Sequence, residues 1–186
     1  LLHAAAGGVG LLACQWAKHL GATVIGTVGS DQKADLAKAH GCDHTIVYTR
    51  ENFVERVKEL TDGVGVPVVF DSVGKDTFTA SLDCLRPRGL MVSYGNASGA
   101  VEPFGPGVLA TRGSLFLTRP TLASYISTRE ELNATAADLF DVVATGSVKV
   151  EIGQVFSLQD AAQAHQDLEA RKTTGSTVLL MEDEKS

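Results

Sequence analysis

Two kinds of apolar pattern alternate along this chain: short continuous runs, and longer stretches in which apolar positions return every three or four residues. Residues 1–6 are apolar and bounded by glycine, and they predict a buried strand. From Val9 onward Leu12, Ala13, Trp16, Ala17 and Leu20 recur at helical spacing until Gly21. A β-branched run at 23–28 predicts a second strand, 31–40 a helix, 44–48 a third strand and 51–61 a third helix. A fourth strand is predicted at 66–71, a helix at 76–85 and a fifth strand in "GLMVSYG". A glycine- and proline-rich loop at 96–113 then leads to a sixth strand at 114–118. Beyond Arg119–Pro120 the rhythm changes. Thr128-x-x-Glu131 is a capping box ahead of a long helix with Leu132, Ala136, Leu139 and Val143 on one face and Gly146 past its end. A strand near 154–156, a helix over about 159–170 and a strand at 176–181 follow, and "EDEKS" predicts a solvated tail.

Continuous apolar strands alternating with amphipathic helices imply a parallel sheet covered on both faces. Right-handed crossovers make that an α/β, doubly wound parallel sheet. A soft boundary near Leu122 divides residues 1–122, the nucleotide-binding unit, from residues 123–186. The chain begins at Leu1 with a strand already under way, so we expect it to be part of a longer protein.

Composition narrows the classes without choosing among them. The chain has 186 residues, 44% hydrophobic and 20% charged, as an ordinary globular protein does. Its formal net charge of −6 argues against a general nucleic-acid or membrane surface. The three cysteines, Cys14, Cys42 and Cys84, are widely spaced, with neither a disulfide framework nor metal-ligand spacing, and the expected location is the reducing cytoplasm. The five histidines are scattered, so no metal site is expected. There is no Gly-x-Ser-x-Gly elbow and no lysine of the Walker type after the glycines.

The chemistry suggested by the sequence begins at "AAGGVG". Aligned on the dinucleotide fingerprint it reads Ala5-x-Gly7-x-x-Gly10, with alanine at the first glycine position. Gly7 admits a close pyrophosphate, and Gly10 lets the helix pack on the strand. The amides around Gly8 and Val9 would face an anion at a helix N-terminus. An NAD-preferring site carries an acid at the end of the second strand, to hold the ribose hydroxyls. Here that place holds Gly29 and Ser30, with Lys33 a turn further on. Without a carboxylate a 2′-phosphate is not repelled; Ser30 can donate to it and Lys33 supplies charge. The expected cofactor is therefore NADPH, and the same absence counts against a methyltransferase. Other strand ends should complete the site: Tyr48; the close backbone of Ser72, Val73 and Gly74; and Tyr94, Gly95 and Asn96 near the nicotinamide. Asp71 is read as a cap for the next helix.

Four segments, "HAAAGGVGLLACQWAKHLGATVIGTVGSDQKA", "VVFDSVGKDTF", "SLDCLRPRGLMVSYGNASGAV" and "GSLFLTRPTLASYISTREEL", together resemble the zinc-independent NADPH:quinone oxidoreductases of the medium-chain dehydrogenase/reductase superfamily, relatives of zeta-crystallin. The resemblance implies a Rossmann fold whose C-terminal segment returns to an upstream GroES-like catalytic domain. It implies reduction of a small-molecule quinone by NADPH, with no catalytic side chain assigned in this half. It puts the 2′-phosphate at Lys33, Tyr48 and Arg171, and the nicotinamide half near Asn96, Leu117 and Thr118. It also implies a homodimer through the edge strand at 114–118. Rival expectations are an enoyl or alkenal reductase or a zinc alcohol dehydrogenase of the same superfamily, and, in another class, a non-catalytic crystallin-like NADPH-binding protein.

Overall fold

The computed structural model describes residues 1–181; the tail predicted in "EDEKS" lies outside them. The large sheet is parallel throughout. Its strands are β1 (Ile25–Val28), β2 (His44–Val47), β3 (Val66–Asp71), β4 (Leu85–Ser93) and β5 (Phe116–Thr118). β1 pairs with β2, and β3 with β4, which pairs with β5. Leu2 joins the two groups by bridging Gly26 on one side and Phe70 on the other. The spatial order is thus β2, β1, Leu2, β3, β4, β5, with a reversal beside Leu2, as in a doubly wound sheet.

The strand predicted at 1–6 is cut short. Leu2 N–H donates to Ile25 O at 2.8 Å, Thr27 N–H to Leu2 O at 3.0 Å and His3 N–H to Phe70 O at 3.1 Å. The chain then turns through Ala4, at φ 55°, into α1 (Gly8–His19). That turn brings the start of α1 onto the sheet after only one bridged residue. The buried face of α1 is rotated from the predicted one and shares Ala13 and Ala17 with it. Gly10, Leu11 and Cys14 are buried, with Ala13 and Ala17 against the core, whereas Leu20 is exposed. Periodicity fixed the helix but not its rotation, because small residues make the closest contacts with the sheet.

The remaining helices are α2 (Asp31–Ala39), α3 (Phe53–Leu60), α4 (Phe78–Asp83), α5 (Gly107–Thr111), α6 (Leu122–Tyr125), α7 (Arg129–Ala144) and α8 (Ala161–Glu169). α4 is shorter than the predicted 76–85, because residues 74–77 are bound into a loop and β4 already begins at Leu85. The predicted loop at 96–113 contains α5, and β5 starts at Phe116 rather than Ser114, which sits at φ 58°. The capping box of α7 is present: the Thr128 hydroxyl accepts from Glu131 N–H at 3.2 Å, and the Glu131 carboxylate accepts from Thr128 N–H at 3.0 Å. β6 (Ile152–Ser157) and β7 (Ser176–Leu180) form a separate parallel pair. Two core clusters lie on the large sheet, one with Ile46, Val57, Val69, Leu82 and Met91, the other with Ala5, Cys14, Val28 and Ala37. Among the described residues, no helix is long and apolar enough to cross a membrane.

Candidate functional site

The carboxyl ends of Leu2, β1, β2, β3 and β4 all open on one edge of the sheet. Gly7 caps α1 in an extended conformation; no side chain bonds the first helical amides, and the first turn holds no acid. Those amides are donors without helical partners at the positive end of a dipole, which suits an anion. Gly10 makes the arrangement feasible. A Cβ there would lie 2.3 Å from Ala4 O and 2.7 Å from the Ala5 carbonyl, so α1 meets the sheet backbone to backbone.

At the end of β1, Gly29 stands where a carboxylate would hold a ribose. A Cβ at Gly29 would meet Tyr48 Oη at 2.9 Å, so the glycine also makes room for the exposed tyrosine at the end of β2. Ser30 is the N-cap of α2: its Oγ accepts from Lys33 N–H at 3.3 Å, which leaves the hydroxyl proton free to donate. The Lys33 ammonium donates to Arg171 O at 2.6 Å. Partial burial, and then the Arg171 charge, lower the Lys33 pKa from its ordinary value. Asp31, the nearest acid in sequence, is taken up by the Arg50 guanidinium in a two-pronged surface pair. Gly29, Ser30, Lys33, Tyr48 and Arg171 thus converge, from three distant segments of chain, on a patch with two cations.

The predicted nicotinamide side is one interlocked pair of turns. Ala97 N–H donates to Ser72 O at 3.1 Å, Ser98 N–H to Val73 O at 2.8 Å and Lys75 N–H to Gly99 O at 3.1 Å. Gly95 lies directly against Ser72. Tyr94 N–H donates to Asp71 O at 2.8 Å, and burial raises the Tyr94 side-chain pKa. Asn96 is exposed on this turn. Leu117 and Thr118, on β5, pair with Met91 and Val92, and two strands, β3 and β4, separate them from Leu2.

The role expected of Asp71 needs correcting. α4 is capped by Thr77 without a side-chain bond. The Asp71 carboxylate, fully buried, instead accepts from Val73 N–H at 2.8 Å, Gly74 N–H at 3.0 Å, the Thr77 hydroxyl at 2.8 Å and the Ser81 hydroxyl at 2.9 Å. It is an anion consumed in shaping the loop at 72–74, because four donors within reach satisfy it better than a helix end would.

The sequence reading missed the segment around Gly175. Gly175 N–H donates to Ala6 O at 3.0 Å and bridges Gly7, and Ser176 Oγ lies 3.4 Å from where a Gly8 Cβ would stand. Its only local signal is "TTGS", a turn with Gly175 at φ 56°. The partner lies about 170 residues away in sequence, beyond any periodicity.

Parallel strand order with a reversal at Leu2, a glycine turn at a helix N-terminus and loops gathered at the strand ends define a doubly wound domain of the dinucleotide-binding kind. The profile described as zinc-binding dehydrogenase matches residues 8–143. The chain belongs to that family. It is 59% identical over 180 residues to a quinone oxidoreductase of Pseudomonas aeruginosa, covering 97% of this chain and 55% of that protein. It is 51% identical to a 2-haloacrylate reductase of a Burkholderia species, covering 97% of this chain and 54% of that protein. The crystal structure of Escherichia coli quinone oxidoreductase complexed with NADPH superposes with a TM-score of 0.93 at 55% identity, over 96% of this chain and 56% of that one. The chain therefore spans about half the length of the curated relatives it matches.

The family's description implies zinc, but the ligand-type residues of this half do not fit such a site. His3 is bonded to Thr27 and Ser81, and His40 to Leu36 O. Among the described residues, no three His, Cys, Asp or Glu converge to hold a metal.

Proposed function

We propose that this chain is the cofactor-binding half of an NADPH-dependent reductase of quinones. The observation that carries the reading is the end of β1: glycine in place of an acid, with Lys33 and Arg171 brought beside Ser30 and Tyr48. NADPH supplies a hydride when bound. The amides at Gly8 and Val9, with Gly7 and Gly10 shaping the turn, bind the pyrophosphate. Ser30, Lys33, Tyr48 and Arg171 bind the 2′-phosphate. Ser72, Val73, Tyr94, Gly95 and Asn96, with Leu117 and Thr118, orient the nicotinamide half and exclude water from one side of it. The relatives named above support a quinone as acceptor. The cleft that receives it is completed by a domain upstream, to which residues 123–186 return. The separate β6–β7 pair and the exposed Ile152, Val155, Leu179 and Leu180 favour that division at about residue 122. The expected location is the cytoplasm.

The test uses the full-length protein. Turnover of 1,4-benzoquinone with NADPH is expected, at a higher kcat/KM than with NADH or with 2-chloroacrylate as acceptor. A preference for 2-chloroacrylate would favour reduction of an activated carbon–carbon double bond, as the name of the Burkholderia relative suggests. NADPH binding without turnover of either acceptor would leave a crystallin-like role. Lys33→Ala should weaken NADPH by about 2 kcal/mol, roughly thirtyfold, since it removes a charged hydrogen-bond donor. NADH should be almost unaffected. Calorimetry showing equal losses for the two would detach Lys33 from the phosphate.

The same reading includes a homodimer. β5 is the last strand of the large sheet, and its far edge has no partner among the described residues. Phe116 is 62% exposed on it. An open apolar edge is a template for another strand. Phe116→Lys should convert a dimer to monomers in sedimentation velocity; an unchanged dimer places the interface elsewhere.

A further inference from the structure

His3 lies at the centre of the sheet, 2% exposed, on the one segment that touches both β1 and β3. Its ring Nδ1 is 2.8 Å from Thr27 Oγ1, and Nε2 is 2.8 Å from Ser81 Oγ. Phe53 closes the ring's flank edge-on, with centroids 5.0 Å apart at 85°. Donor counting fixes the direction of every bond. The Asp71 carboxylate only accepts, so the Ser81 hydroxyl proton points to Asp71 Oδ2. Ser81 Oγ must then accept from His3, which places the proton on Nε2. Nδ1 is left as an acceptor, and the Thr27 hydroxyl donates to it. A single polar chain therefore runs Thr27, His3, Ser81, Asp71, and ends on the amides of Val73 and Gly74.

Each link is adjacent to a different part of the candidate site. Thr27 precedes Gly29 and Ser30 by two and three residues. His3 leads directly into the turn that delivers Gly7 to the start of α1. Asp71 shapes the loop at 72–74, which in turn locks the turn at 94–99. The three cofactor-facing turns come from remote parts of the sequence, and inside the sheet one imidazole connects them.

We propose that His3 is a positioning residue that holds the phosphate turn, the adenosine end of β1 and the nicotinamide loop in one register, so that an intact dinucleotide can span them. This rests on the cofactor reading given above. Buried polar networks of this kind fix a unique geometry when every member is satisfied. A merely structural histidine would lower stability when replaced and leave the relative affinities of whole and half ligands alone. A register-holding one acts on ligands in proportion to how many turns they bridge.

The experiment compares wild-type full-length protein with His3→Leu, His3→Gln and the milder Ser81→Ala, using NADPH and 2′,5′-ADP, which reaches only the adenosine end. His3→Leu and Ser81→Ala should weaken NADPH at least tenfold and 2′,5′-ADP less than threefold. His3→Gln, whose amide offers one donor and one acceptor, should recover most of the loss. Nitrogen-15 shifts of the wild-type ring at neutral pH should report the Nε2–H tautomer. Equal losses for both ligands, unchanged NADPH affinity in folded variants, or an Nδ1–H ring would each overturn the proposal. If the wild type prefers NADH, the phosphate reading fails by itself and the comparison is made with NADH and AMP. A wild type that binds neither dinucleotide overturns both.

Discussion

Gly10→Ala in the full-length protein will lower the unfolding free energy by about 3 kcal/mol, the upper part of the usual range for overpacking a close-packed site. Alanine is ordinarily the better helix former by up to about 1 kcal/mol, so propensity alone predicts the opposite sign. The loss arises because the new methyl would sit 2.3 Å from Ala4 O, which is backbone and cannot swing aside as a side chain would. Either α1 lifts from the sheet or the turn at residues 4–7 deforms. Both displace the amides at Gly8 and Val9, so NADPH binding should fall with stability. Gly7→Ala is the control. Its methyl meets only Ala4 O, at 3.4 Å, and the cost there should be about 1 kcal/mol or less, that of a poorer N-cap. Urea titrations of the two variants give the comparison. Equal costs would mean that α1 is not seated as described.

The second large effect is a loss of stability in mild acid. Burial, against an opposing contribution from the Asp71 charge, lowers the His3 pKa from 6.5 to about 4. The unfolded chain takes up a proton on this residue near pH 6.5, whereas the native state resists until about pH 4. Stability is therefore fully present above pH 6.5 and declines as pH falls toward 4, by about 3 kcal/mol in all, at 1.36 kcal/mol for each unit of the difference. Between pH 7.5 and pH 5 the drop should be about 2 kcal/mol. His3→Gln removes the titrating group, so its stability should change much less over the same interval. Parallel curves for variant and wild type would assign the acid sensitivity to other groups.

Much of the fold was legible because it is written in local pattern. β1, β2, β3 and β7 fall within two residues of the apolar runs that predict them, and the Thr128–Glu131 box starts α7 where its residue types say it should. What escaped was decided by partners remote in sequence. α1 buries Gly10, Leu11 and Cys14 rather than Leu12, Trp16 and Leu20, since Gly10 permits so close a seat. The segment at 1–6 is strand-like in composition but has to turn after Leu2 to start that helix. α5 was hidden in a stretch dense with glycine and proline. The site divides in the same way. Gly7, Gly29, Ser30 and Lys33 are readable from fingerprint spacing, whereas Gly175 and His3 depend on contacts across 24 to 169 residues that leave no local trace, and Asp71 shapes its loop through side-chain bonds within 10 residues that periodicity does not report.

The bond from Gly175 to Ala6, with the Arg171 carbonyl on Lys33, has a consequence for biosynthesis. The helix turn that opens this chain gains its last neighbour only when residues near 175 have cleared the ribosome. The nascent polypeptide can build most of its sheet early, yet it meets nucleotide with one wall missing. Cofactor capture should thus wait until the segment around residue 175 has folded back, and a product truncated just before Arg171 is expected to keep its core and bind nucleotide more weakly.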